Sequence, residues 1–136
     1  MIRLYLLNDD HTLTEVDQLE WAARGNLVED VERRNVSEDE IAGWRVSTKF
    51  IGIDMTPSFF FTRDPDLPPR VFECAVFDPD GDIYVMGRPS SWDEAEAMHQ
   101  HVCEAMRVLV SADDDGGISH AAINIVRGSL RYGSAR

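Results

Sequence analysis

From Trp92 to Leu109 the chain repeats an apolar residue every third or fourth position. Trp92, Ala95, His99, Val102, Met106 and Leu109 follow at spacings of 3, 4, 3, 4 and 3, with Asp93, Glu94, Gln100, Glu104 and Arg107 between them. That period lays one apolar face along about five helical turns. Ser91, with Glu94 three residues later, reads as a capping box at its start. Asp93 and Glu94 also suit the positive end of the helix dipole. A second helix is predicted to begin after Asp17, an N-cap with Glu20 three residues on. Leu19, Ala23, Leu27 and Val31 recur every four residues and carry it to about Arg34. Gly25-Asn26 interrupts that stretch, where a glycine costs about 1 kcal/mol relative to alanine.

Strands are predicted where the period drops to two. Trp44, Val46, Thr48 and Phe50 fall on one face and Arg45, Ser47, Lys49 and Ile51 on the other, a strand within Trp44 to Asp54. Ile2 to Leu7 is a short apolar strand closed by the turn residues Asn8-Asp9-Asp10. Ser37-Glu38-Asp39-Glu40 reads as a loop or a strand edge. Arg70 to Phe77 and Ile83 to Met86 flank Asp78-Pro79-Asp80-Gly81-Asp82, a hairpin turn between two apolar runs. Pro57, Pro65, Pro68 and Pro69 keep the stretch from 57 to 69 out of any ladder. Phe59-Phe60-Phe61 lies inside it. The triplet either folds down onto the core or stands as an exposed contact for a partner.

The resulting order is strand, helix, three strands, helix. It predicts an α+β fold: an antiparallel sheet of about four strands with helices on one face. Trp92, His99, Val102 and Met106 are expected to pack on Val46, Phe50 and the Arg70–Met86 hairpin. One domain covers residues 1–110. Asp113-Asp114-Asp115-Gly116-Gly117 reads as a linker, and the remainder of 111–136 as a tail able to dock through Ile123 to Val126, or to add a short helix or strand.

Composition changes the picture in three ways. Hydrophobic residues at 43% exclude a disordered chain. No apolar run approaches the ~18 residues of a membrane span, and no charged-then-apolar leader opens the chain, so nothing is expected to mark it for export. Thirteen basic against 25 acidic residues give a net charge of −12. That charge repels nucleic-acid phosphates and anionic membranes. It fits a plain soluble surface, or an acidic face docking on a basic protein surface.

The search for chemistry returns little. Cys74 and Cys103 are expected as free thiols, with no Cys-x-x-Cys pair. His99 and Cys103 lie one turn apart and are able to face one metal, but two ligands do not make a site, and His99 is predicted as a core or rim histidine bonded to backbone. Glu96 with His99 is a single Glu-x-x-His, where di-iron bundles need two. No nucleophile elbow and no glycine-rich phosphate loop is present. Cys103 on a packed face is expected to be inert. The Asp78–Asp82 carboxylates lack the glycine and glutamate positions of a calcium loop. No catalytic residue, metal site or cofactor is assigned. The residues picked for partner contact are Phe59, Phe60, Phe61, Asp78, Asp80 and Asp82.

Three segments carry a resemblance. They are Arg45-Val46-Ser47-Thr48-Lys49-Phe50-Ile51-Gly52-Ile53-Asp54, Pro68-Pro69-Arg70-Val71-Phe72-Glu73-Cys74-Ala75-Val76-Phe77 and Ser90-Ser91-Trp92-Asp93-Glu94-Ala95-Glu96-Ala97-Met98-His99. In that order they resemble a family of small uncharacterised bacteriophage and prophage proteins, whose pattern runs VSTVFLGLDH, PPLLFETMVF, YSTWEEAEAxH. Trp21-Ala22 also matches. The chain departs at Met55, where the family has His, at Phe59-Phe60-Phe61, where it has a glycine-rich loop, and at Cys74-Ala75, where it has Thr-Met. The resemblance implies a phage or prophage origin, action in the bacterial host cytoplasm or alternatively in a virion, and a compact α+β fold. With the charge, it leads to an expectation of a non-enzymatic, protein-binding accessory protein, acting on host machinery that handles nucleic acid. The alternative is a head or tail component of the virion; a small enzyme or metal protein ranks third.

Overall fold

A computed structural model of the chain describes residues 2–24, 31–54, 67–112 and 117–133. Phe59, Phe60 and Phe61, picked as a partner contact, lie outside these residues, as does Met55. The fold is α+β. Strands β1 (Leu4–Leu7) and β2 (Leu13–Val16) form a hairpin, followed by helices α1 (Gln18–Arg24) and α2 (Val31–Arg34). Then come β3 (Asn35–Ile41), β4 (Trp44–Phe50), β5 (Phe72–Phe77) and β6 (Ile83–Gly87). Helices α3 (Trp92–Ala112) and α4 (His120–Gly133) close the chain.

The four-stranded sheet is antiparallel in the order β3-β4-β5-β6. Its fourth member differs from the expectation. The first strand of the chain pairs with β2 in a separate sheet, and the acidic stretch Ser37 to Glu40 supplies the edge strand β3 instead. β3 turns into β4 through Ala42-Gly43, both at positive φ (52° and 85°). A two-residue loop of that kind matches the twist of the strands it joins, and glycine reaches the conformation without strain.

Period two on β4 sorts its residues as expected. Val46, Thr48 and Phe50 are buried, and on the opposite face Arg45 and Lys49 are exposed while Ser47 between them is buried. α3 crosses the buried face. Ser91 caps it by accepting the Glu94 N–H at 3.1 Å, and Glu94 accepts from the Ser90 N–H at 3.0 Å. Ser91→Ala is expected to cost about 1 kcal/mol, read as a lower urea midpoint with unchanged slope. Near the start of α3, Gly87 admits Met98: a side chain there would place its Cβ 2.6 Å from the Met98 sulfur.

Two apolar clusters result. One joins Ile41, Trp44, Val46, Cys74, Val76 and Met86 of the sheet to Val102, Cys103 and Met106 of α3 and Ile123, Val126 and Leu130 of α4. The other joins Tyr5 and Leu7 of β1 to Phe50, Val71, Phe72 and Ala95, with Trp92 packed against it. The docking patch expected in the tail is therefore the buried stripe of a helix, set at i, i+3 and i+7. Hydrogen bonds from Tyr5 N–H to the Gly52 carbonyl (2.9 Å) and Asp54 N–H to the Arg3 carbonyl (3.0 Å) tie the first hairpin to the chain beyond β4.

The early helix needs correction. Asp17 does cap α1, accepting the Glu20 N–H at 2.8 Å. Its apolar stripe is not buried, however: Leu19 is 84% exposed and α1 buries no residue. A period of four is a statement about one face, and here no neighbour covers that face. Residues 25–30, across which the stripe was expected to continue, lie outside the described residues.

Candidate functional site

Among the described residues, a polar cluster lies between α3 and the sheet. His99 projects from the buried face of α3, Thr48 from β4 beneath it, and Asp39 from the edge strand β3. Thr48 Oγ1 lies 2.7 Å from His99 Nδ1, and His99 Nε2 lies 2.7 Å from Asp39 Oδ2. Cys103, one helical turn after His99, brings its thiol to 3.7 Å from the same Asp39 oxygen. The carboxylate only accepts, so the ring donates from Nε2, and Nδ1 pairs with the Thr48 hydroxyl, which can donate or accept.

His99 thus has two side-chain partners, not the backbone bond expected of it. His99 is 2% and Thr48 0% exposed, whereas the Asp39 side chain remains 42% exposed. Asp39 is the residue that periodicity did not single out. It lies in a run of four polar residues, and only the register of β3 against β4 turns its side chain toward α3. The His99 hydrogen bond holds the Asp39 carboxyl below its ordinary value of 3.8, against a smaller opposing effect of burial.

Hydroxyl, imidazole and carboxylate in line have the make-up of an acyl-transfer triad, but a nucleophile must meet its substrate. Thr48 is sealed under α3. The cysteines are closed in the same way. Burial pushes the Cys74 thiol up to about 11, and burial with the Asp39 charge pushes Cys103 up to about 12. Both are free thiols held in the unreactive protonated form. Cys74 stands opposite Thr48 in the β4–β5 ladder and is not one of the three ligand-bearing residues grouped around Asp39.

The hairpin carboxylates divide. Asp78 is buried and accepts the N–H groups of Asp80 and Asp82 on Oδ1, both at 2.9 Å. It is a staple of the turn, and its Oδ2 faces His120 Nε2 of α4 at 3.7 Å. Asp78 therefore presents no carboxylate to a partner, and Asp80 and Asp82 are the exposed pair. Of the expected core residues, Val46, Phe50, His99, Val102 and Met106 are buried and Trp92 is half-buried.

A cavity of about 350 Å³ opens beside β1, lined by Leu6, Leu7, Asn8, Arg24, Arg33, Arg34 and Phe50. Two of its three arginines are engaged, while the buried Nε of Arg34 has no hydrogen-bond partner among the described residues. Arg33 donates to the Leu7 carbonyl and pairs with Asp9, each at 2.8 Å, and Arg24 pairs with Glu20 at 3.2 Å. Sequence reasoning did not pick these arginines, since nothing in their spacing marks a shared pocket. No helix among the described residues is long and apolar enough to cross a membrane. Compared with protein families, curated proteins and solved structures, the chain matches none.

Proposed function

We propose that this chain is a phage- or prophage-derived accessory protein that acts by binding another protein through its carboxylates. The observation that carries the reading is a separation of roles. Thr48, His99 and Cys103 converge in the interior and only Asp39 reaches solvent, while the outer side of α3 presents Asp93, Glu94, Glu96 and Glu104 against a single cation, Arg107. Exposed carboxylates in excess steer a basic protein surface toward contact and repel phosphates. Host machinery that handles nucleic acid offers basic surfaces of that kind. The phage origin rests on the three-segment resemblance.

The test is capture of a bacterial host protein by the full chain, with affinity measured between low and high salt. Affinity is expected to fall as salt rises, and Glu96→Lys with Glu104→Lys is expected to slow association further. Binding that ignores both salt and charge reversal sinks the carboxylate contact. Mass spectrometry of purified phage particles separates the virion alternative, which requires the chain at stoichiometric levels.

A further inference from the structure

We infer that Asp39, His99 and Cys103 form a binding site for a single divalent transition metal of the zinc class. Their ligand atoms, a carboxylate oxygen, an imidazole nitrogen and a sulfur, all lie within 4.8 Å of one another. That mixed set is the one zinc and cobalt(II) favour. Bonds of about 2.0–2.3 Å in a tetrahedron set neighbouring ligands about 3.3–3.6 Å apart. The Cys103–Asp39 separation of 3.7 Å is about 0.1 Å beyond that range. The His99–Asp39 separation of 2.7 Å must open by about 0.6 Å, and Asp39 sits on an edge strand with its side chain part-exposed, where a carboxylate has room to swing.

A second feature points the same way. A metal-bound imidazole holds its ring by donating from the other nitrogen. Thr48 Oγ1 is already in place on Nδ1 to accept that bond. Binding transfers the ring proton from Nε2 to Nδ1, reverses the Thr48 hydroxyl, and releases the Cys103 thiol proton to solvent. The fourth position opens past Asp39 and is filled by water.

The experiment uses the full chain, reduced and stripped of metal, titrated with cobalt(II) and then zinc. One equivalent of cobalt is expected to give the intense visible bands of a tetrahedral ion together with a near-ultraviolet sulfur-to-cobalt band, both removed by zinc. Cys103→Ser is expected to abolish the sulfur band, and Asp39→Asn to weaken zinc binding at least about 10-fold. Thr48→Val, which touches no metal, is expected to weaken it about 10-fold by freeing the ring. Asp39→Asn and Cys103→Ser keep the His99–Thr48 bond, and circular dichroism checks that each remains folded. A pale, octahedral cobalt spectrum without the sulfur band overturns the site in the unaltered chain, whatever the variants do. So does zinc affinity that is unchanged in both Cys103→Ser and Asp39→Asn. Neither result bears on the acidic contact, which is read by salt dependence.

Discussion

Replacing His99 with alanine is expected to lower the free energy of unfolding by about 3–5 kcal/mol. Thr48 then loses its imidazole partner and keeps only the weak contact to the Cys74 thiol, at about 1–3 kcal/mol. The vacated imidazole leaves a cavity under α3 for most of the remainder. Asp39 adds less, because its part-exposed carboxylate can regain water. Domains of this size are stable by about 5–15 kcal/mol, so the variant sits near the limit of folding. His99→Gln keeps the argument readable if alanine does not fold. Its amide can accept from Thr48 and donate to Asp39, and it is expected to recover part of the loss. Urea unfolding followed by tryptophan fluorescence makes the comparison. Equal losses for alanine and glutamine would show that ring volume matters and the two hydrogen bonds do not.

The same cluster shapes the acid side of the stability curve. Asp39 binds its proton less readily folded than unfolded, because the His99 bond favours the carboxylate. Its contribution is therefore complete above its ordinary value of 3.8 and disappears as pH falls below that toward the lower, folded value. Asp39→Asn is expected to flatten the curve in that acid window, read by urea unfolding as a function of pH.

Most of the sheet was legible because local signals agreed with the tertiary environment. On β4 the alternation of Trp44, Val46, Thr48 and Phe50 matched burial, and the Asp-Gly turn after β5 matched its hairpin. α3 was legible for the same reason, down to its cap at Ser91. The failures had other causes. Leu13 to Val16 is too short and polar to announce β2, which exists because β1 offers it a ladder. The β3–β4 turn was hidden because alanine, not asparagine or aspartate, occupies its first positive-φ position. Leu19 shows the converse, an apolar repeat with nothing above it.

The candidate cluster was half visible. His99 and Cys103 share a helical face by arithmetic alone. Asp39 and Thr48 join them across 60 and 51 positions of chain, through sheet register that no window of sequence contains. The reading of His99 as a core histidine did reach the right burial, yet missed the partners that explain it. A buried imidazole needs two of them, and β3 and β4 each supply one.

Phe72→Ala should remove about 3–5 kcal/mol and, more tellingly, remove it unevenly. Phe72 is fully buried, edge-on to Phe50 at 5.4 Å and to Trp92 at 6.3 Å. It is the piece of the sheet that Tyr5 and Leu7 of the first hairpin and Ala95 of α3 pack around. The larger cluster, from Ile41 to Leu130, is built from other side chains. Loss of the Phe72 ring is therefore expected to free the hairpin before the rest. Hydrogen exchange should accelerate most at the Tyr5 amide, bonded to the Gly52 carbonyl, and least at the Val76 amide, inside the larger cluster. Met106→Ala, in the larger cluster, should cost about 2–5 kcal/mol with the opposite pattern. If both variants accelerate both amides equally, the two clusters unfold as one unit. The hairpin is then as integral to the fold as α3, and the outer acidic side of that helix has no independently mobile neighbour at its Trp92 end.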